Sequence, residues 1–296
     1  MSPGDPETNG RLVVICHEPD AGDDPGRSSD PAEAGQVSAV NDACGKYSQS
    51  GSRTVIPLRD ANPTRRTPVV TIGLVVTFLV AFAWELGLQV SGGDDALKAF
   101  IAEWGVVSSD LTAAWAGGGI LTMETATLIT SQFLHGGWLH LLGNLLFLWI
   151  FANNIEDDLG RLAFLAFYLG GGAVAALAQV ASDPASTVPM IGASGAIAAV
   201  LGGYIVLHPR ARITSLVFLG FFYQLIDVPA IVVLGFWFVL QLIDGLASLG
   251  FAGTSGGVAL FAHIGGFVAG VIAAQLLLVL RRRRRGAGPP ALTPVG

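Results

Sequence analysis

From its amino end the chain stays polar for roughly 66 residues, then alternates between long apolar runs and shorter polar breaks. The runs fall at roughly 69–90, 138–154, 162–181, 191–208, 228–247 and 257–280, most of them near the ~20 residues a helix needs to cross a bilayer. Six spanning helices are therefore expected, packed as an all-α membrane protein. One further stretch, "SLVFLGFFY" at 215–223, is apolar but at about a dozen residues too short to span. It reads as an interfacial or extended lead into the fifth helix. The connection at 92–137 is long and holds Trp104 and Trp115, with Trp138 just beyond. Tryptophan favours the headgroup zone, so this segment is expected to lie on or partly in the membrane.

Charge supports the same count. Arg65 and Arg66, Arg161, Arg210 and Arg212, and Arg281 to Arg285 all fall in connections of one parity, whereas the alternate connections hold only Lys98. By the positive-inside rule both termini are cytoplasmic. The composition agrees: 52% of residues are hydrophobic and 13% charged, against about 25% charged in a soluble domain. The net charge of -6 averages unlike regions, so no nucleic-acid partner is expected from it.

Residues 1–66 are rich in Gly, Pro, Ser and Asp, a composition that cannot bury enough apolar surface to offset its ordering entropy. They read as a disordered cytoplasmic tail, 67–280 as the membrane domain and 281–296 as a basic cytoplasmic tail that anchors the last helix. No signal peptide is visible. Cys16 and Cys44 are the only cysteines, and with His17 they lack the paired spacing of a zinc site. They read as free thiols, and no metal or cofactor is expected.

Three stretches break the apolar pattern with chemically capable groups: "HLLGN" with His140 and Asn144, "GASG" with Ser194, and "AHIGGFVAG" with His263. Polar and ionisable side chains inside a span point to function. Ser194 precedes His208, at the cytoplasmic edge, by about 21 Å of helix, which leaves it roughly 9 Å below the outer surface of a ~30 Å core. His263 comes out at a similar depth, about 5–9 Å, on the same side. Gly266 and Gly270 form a small-residue stripe beside His263, and Gly195, Ala198, Ala199, Gly202 and Gly203 thin the serine helix. Such spacing lets two backbones approach closely.

A serine becomes nucleophilic when a base takes its proton, and histidine is the usual partner. No acid on an apolar helix has a clear claim to orient that base, Glu85 and Asp244 being the nearest in type, so a dyad is inferred. Ser194 opens a helix, where unpaired N–H groups attract negative charge. His140 and Asn144, four apart, share a helix face and offer further donors.

These motifs, in this order on the second, fourth and sixth spans, resemble the signature of the rhomboid intramembrane serine proteases, over roughly 65–280. "IEDDLGR", with Glu156 and Gly160, resembles the cytoplasmic turn of that family. The resemblance implies Ser194 as nucleophile, His263 as general base, and His140, Asn144 and the Ser194 N–H as oxyanion hole. It implies that Gly192 makes room for the scissile peptide in the active-site loop, next to Gly195, that Gly266 and Gly270 pack the catalytic helices, and that His135 is structural or water-organising. Ala198 departs from relatives that carry a tyrosine against the base. "GASGA" is also not the G-x-S-x-G elbow of soluble hydrolases. A water-filled cavity should reach Ser194, lined by the 182–193 loop, with the Gly-rich 250–258 as a lid.

The expectation is an endopeptidase that cuts single-pass membrane proteins in or near their spans, within a bacterial plasma membrane. Two other readings differ in kind. A catalytically silent rhomboid-like binding factor would lack the serine or the histidine, and both are present. A small-solute transporter should show halves related by repeat, which the sequence lacks. In a cleavage assay with a transmembrane reporter, Cys16→Ala should match the wild type, and a large loss would show that the tail takes part.

Overall fold

In the computed structural model, which describes residues 55–219, 222–250 and 259–286, strand β1 (Val55–Asp60) precedes helix α1 (Val69–Trp104). Short helices α2 (Ser108–Ala116) and α3 (Met123–Thr130) lead through a 3-10 turn, Ser131–Phe133, into α4 (Trp138–Leu159), α5 (Arg161–Ser182) and α6 (Ser194–Leu207). Strands β2 (Arg212–Leu219) and β3 (Phe222–Pro229) then give way to α7 (Ala230–Gly250) and α8 (Leu260–Gly286). The chain divides into two compact units, Pro57–Thr214 with Asp227–Gly296, and Met1–Ile56 with Ser215–Ile226. The helices all belong to the first. Of the second, the described residues are strand segments. Cys16, His17 and Cys44 lie outside the described residues, as does most of the expected 250–258 lid.

Among the described residues, α1, α4, α5 and the Leu260–Arg282 part of α8 are long and apolar enough to cross a membrane, and Ser194–Leu207 and Ala230–Ile243 form shorter apolar helices. The six expected spans map onto these six. Their outward surfaces are greasy: Val80 and Trp84 on α1 are 64% and 62% exposed, and Val268, Ile272 and Leu276 on α8 are exposed as well. In water such a surface would be a liability; in lipid it is the natural exterior.

α6 is different. Every residue from Gly195 to Tyr204 is buried, which explains why this run is apolar all round and has no polar face. It is the central helix, with α4, α5 and α8 packed around it. The core beside it gathers Phe78, Leu148, Phe151, Phe164, Tyr168, Leu201 and Leu234.

Close packing on α6 is enforced by missing side chains. A Cβ at Gly270 would lie 1.9 Å from the Ala199 carbonyl oxygen, one at Gly266 2.2 Å from that of Gly195, and one at Gly202 2.0 Å from that of Phe267. The stripe read from the sequence therefore packs α8 onto α6 along three successive turns. α5 completes the contact, with Gly171 against Ala199 and Gly265 of α8 against Ala178. Gly203 turns the other way, towards Phe167.

Several boundaries differ from the sequence expectation. α1 runs past residue 90 because Gly93, at φ 74°, breaks it into two helical pieces in one element. The connection after it is folded: Val106, Leu111 and Leu128 form a small core with Ala176 and Val180 of α5. The apolar lead expected at 215–223 as interfacial or extended is extended where it is described, within β2 and β3, so the fold is mostly helical with a small β element. Ile213 and Ser215 are buried while Arg212 is exposed, an alternation that an overall apolar reading hides.

The tail drawn to residue 66 also ends earlier, since β1 is formed and the residues after it are held. Asp60 accepts hydrogen bonds from Tyr204 Oη on α6, at 2.6 Å, and from the Asn154 side chain on α4. Asn62 Nδ2 reaches Asn154 Oδ1 and His208 Nδ1, each at 3.1 Å. Nearby, Glu156 accepts from the N–H groups of Val70 and Thr71 at 2.9 and 2.8 Å, a carboxylate at the positive end of α1. The "IEDDLGR" turn, with Gly160 at φ 80°, thus fixes where α1 begins.

Gly270→Ala should force α6 and α8 apart, at a cost of about 1–3 kcal/mol or more. A thermal midpoint equal to the wild type would contradict the packing described. Burial holds the Asp60 carboxyl above its ordinary value of 3.8, against its hydrogen bonds from Tyr204 and Asn62. A group raised in the fold contributes its stability below the unfolded value and loses it as pH rises through the folded value. Stability measured from about pH 3 to 7 should therefore show a falling limb that Asp60→Asn flattens.

Candidate active site

Ser194 is the first residue of α6, and the chain reaches it through an anchored loop. Val106 and Met190 exchange backbone hydrogen bonds at 3.0 and 2.8 Å, and the Gly192 N–H donates to the Ser131 carbonyl at 2.9 Å. Gly192 sits at φ 126°, where a side chain is strained. A Cβ there would also fall 2.6 Å from His140 Nε2 and 3.7 Å from Ser194 Oγ. Gly192 thus sets the imidazole of His140 beside the serine. Ile197 N–H bonds back to Ala193, so the N–H groups of residues 194–196 precede the helical ladder and face the loop side.

His263 lies in the first turns of α8, with Nε2 2.7 Å from Ser194 Oγ. The start of its helix is held from α5, where Gln179 Oε1 accepts from the N–H groups of Phe261 and Ala262 at 3.1 and 3.3 Å. Nδ1 of the same ring is 2.9 Å from Gln241 Oε1 on α7. The Trp237 ring leans on the imidazole, with centroids 5.9 Å apart and planes at 42°, and also packs on Phe267. Where Ala198 leaves no aromatic on α6, Trp237 supplies one from α7.

On the other side of the serine, the Gly136 N–H donates to His140 Nδ1 at 3.3 Å. That leaves the proton of a neutral ring on Nε2, the atom nearest Gly192. One turn further, Asn144 is buried and its Nδ2 has no hydrogen-bond partner in the protein. An unmet buried donor costs about 1–3 kcal/mol, so a fold retains one where a ligand takes the bond. The expected site residues Ser194, His263, His140 and Gly192 are thus brought together, with Asn144 on the same helix face as His140.

His135 is placed behind this group. Its N–H donates to both Glu85 oxygens at 3.1 and 3.3 Å, and its ring packs on Phe78 and edge-on to His140. Burial, and then the neighbouring His140, push its imidazole down to about 3, so it is neutral. Glu85 is committed here, which removes it as a partner for His263. The Asp244 side chain lies outside the described residues.

Four residues that the sequence reading passed over belong to the site: Gln241, Trp237, Gln179 and Gln132. Gln132 Nε2 donates to the carbonyls of Leu128 and Leu169, while its buried Oε1 has no partner. It borders a cavity of about 20 Å³ shared with Ser131, Gly172, Met190 and Ser194, room for a single water. The signal was present, since amides interrupting "FWFVLQLID" and "AALAQVAS" are costly in an apolar run unless bonded.

Comparison with known proteins points the same way. The family described as Rhomboid domain matches residues 122–280. Among curated proteins, the rhomboid-family YdcA of Bacillus subtilis (strain 168) is 37% identical over 87 residues, 29% of this chain and 43% of that protein. RHOMBOID-like protein 12, mitochondrial, of Arabidopsis thaliana is 33% identical over 156 residues, 46% of this chain and 44% of that protein. Presenilin-associated rhomboid-like protein A, mitochondrial, of Danio rerio is 34% identical over 88 residues, 29% of this chain and 23% of that protein. The matched stretches span less than half the length of these relatives. Because mitochondrial proteins stand among them, the expected bacterial plasma membrane is not supported; the helices and the relatives together support a multi-pass membrane protein. With the match running from the residue before α3 into α8, over more than half of the 296 residues, this chain belongs to the rhomboid family.

Proposed function

We propose that this protein is an intramembrane serine endopeptidase that hydrolyses peptide bonds in or near the transmembrane segments of other membrane proteins. The observation that carries the reading is the 2.7 Å contact between Ser194 Oγ and His263 Nε2. Ser194 Oγ attacks the scissile carbonyl carbon as His263 Nε2 takes the hydroxyl proton. The carbonyl oxygen becomes an oxyanion, held by His140 Nε2–H, the Asn144 amide and the Ser194 N–H. His263 then returns the proton to the departing amine as the C–N bond breaks. Water next attacks the acyl-serine as His263 takes its proton; the bond from the acyl carbon to Oγ then breaks, His263 returns the proton to Ser194 Oγ, and the acid product leaves.

A peptide bond within a helix is shielded and already hydrogen-bonded, so the substrate segment must unwind before attack. Single-pass proteins with helix-breaking residues and a small residue before the cleaved bond fit that demand. The protease domain read as 67–280 also takes in the held segment at Asp60 and Asn62, with the arginine-rich ends on the cytoplasmic side and Ser194 nearer the opposite face.

Purified protein in liposomes should cleave a transmembrane reporter and bind a fluorophosphonate probe at Ser194. Ser194→Ala and His263→Ala should abolish cleavage, and Asn144→Ala should slow it by about 10²–10³, the effect of losing one oxyanion donor. Full cleavage by the Ser194 or His263 variant would remove the assignment, and a wild type that binds clients without cutting would instead mark a silent binding factor.

A further inference from the structure

Resting on the dyad reading above, we infer that Gln241 is a positioning residue for the reaction, fixing the tautomer and ring orientation of His263. His263 has two nitrogens with different neighbours: Nε2 meets Ser194 Oγ at 2.7 Å and Nδ1 meets Gln241 Oε1 at 2.9 Å. An amide oxygen accepts and cannot donate. The bond at Nδ1 therefore requires the ring proton there, which leaves the Nε2 lone pair free to accept from the serine hydroxyl. The opposite tautomer would set two acceptors against each other at Gln241 and would make Nε2 a donor to the serine oxygen, with no lone pair left to take the hydroxyl proton.

The ring is also held in orientation. Trp237 and Gln241 are four residues apart on α7, hence on one face of that helix. The indole of Trp237 leans on the imidazole while the amide takes its far nitrogen. Trp237 is in turn packed on Phe267, and Phe267 is stacked with Phe238 at 4.3 Å, so the face carrying Gln241 is fixed against α8. Three groups from two helices thus confine one ring: Ser194 at one edge, Gln241 at the other and Trp237 on the face.

The chemistry differs from that of a carboxylate in the same place. A neutral amide sets the tautomer and accepts the Nδ1–H hydrogen bond throughout the cycle without adding a negative charge in the membrane. An acid here would stabilise the imidazolium further but would need its own charge buried at a high cost. Gln241 is the compromise that an apolar helix can hold.

The test uses full-length protein in liposomes, with Gln241→Leu and Gln241→Glu compared with wild type and Ser194→Ala. Gln241→Leu keeps the bulk and removes the acceptor; kcat should fall about ten- to a hundredfold, the range for a hydrogen bond to a group that becomes charged. KM and the thermal midpoint should hold, because the side chain acts through His263 rather than on the substrate. Gln241→Glu restores an acceptor and should recover most of kcat, with the acid limb of the kcat/KM profile moved to higher pH, since a carboxylate beside Nδ1–H retains the ring proton longer. Wild-type kcat in Gln241→Leu would overturn the inference while leaving the dyad intact. So would a loss in both variants with a lowered midpoint, the mark of a packing role. A wild type no more active than Ser194→Ala would instead overturn the dyad reading beneath it.

Discussion

The backbones of α6 and α8 touch where a side chain would have stood, at Gly195 with Gly266, Ala199 with Gly270, and Gly202 with Phe267. Outside water there is no hydrophobic drive to press helices together, so their contact depends on dispersion and shape. Three backbone contacts along one seam give that contact its area and also set its register. A shift by one residue would drive a Cβ into a carbonyl. The same register carries Ser194 and His263 at its upper end, so the distance between hydroxyl and imidazole follows from glycines one to two turns below.

Two imidazoles flank the serine and are set for opposite tasks by what meets Nδ1. At His263 the neighbour is an amide oxygen, which places the proton on Nδ1 and leaves Nε2 to accept. At His140 the neighbour is the Gly136 N–H, which leaves the proton on Nε2 to donate. One residue type thus supplies both an acceptor and a donor around a single hydroxyl, and the choice is made at the remote nitrogen in each case. Asn144, with its unmet buried N–H group, adds to the donor side.

Much of this was readable in the sequence because an apolar chain makes its polar exceptions conspicuous. Ser194, His263, His140 and Asn144 stand out among leucines and glycines, and Gly266 and Gly270 repeat at the spacing that close helices require. Gln241 was missed because the partner sought for His263 was an acid, whereas the group present is an uncharged acceptor from a helix that bears no motif. Glu85 was left without a role because its backbone partner at His135 is fifty residues away in the chain. The lead into the fifth helix was readable as interfacial or extended, but not that its strand begins at Arg212, before the apolar stretch. The break at Gly93 depends on one residue's φ, and a glycine in a long apolar run does not announce which conformation it will take.

The bond between Tyr204 and Asp60 ties the C-terminal end of the serine-bearing helix to chain that precedes the first membrane crossing. Shortening the protein to the opening residue of that crossing would strip a buried phenol of its acceptor. What looks like a dispensable leader thus contains, in its final few residues, part of the floor on which the helix of Ser194 stands.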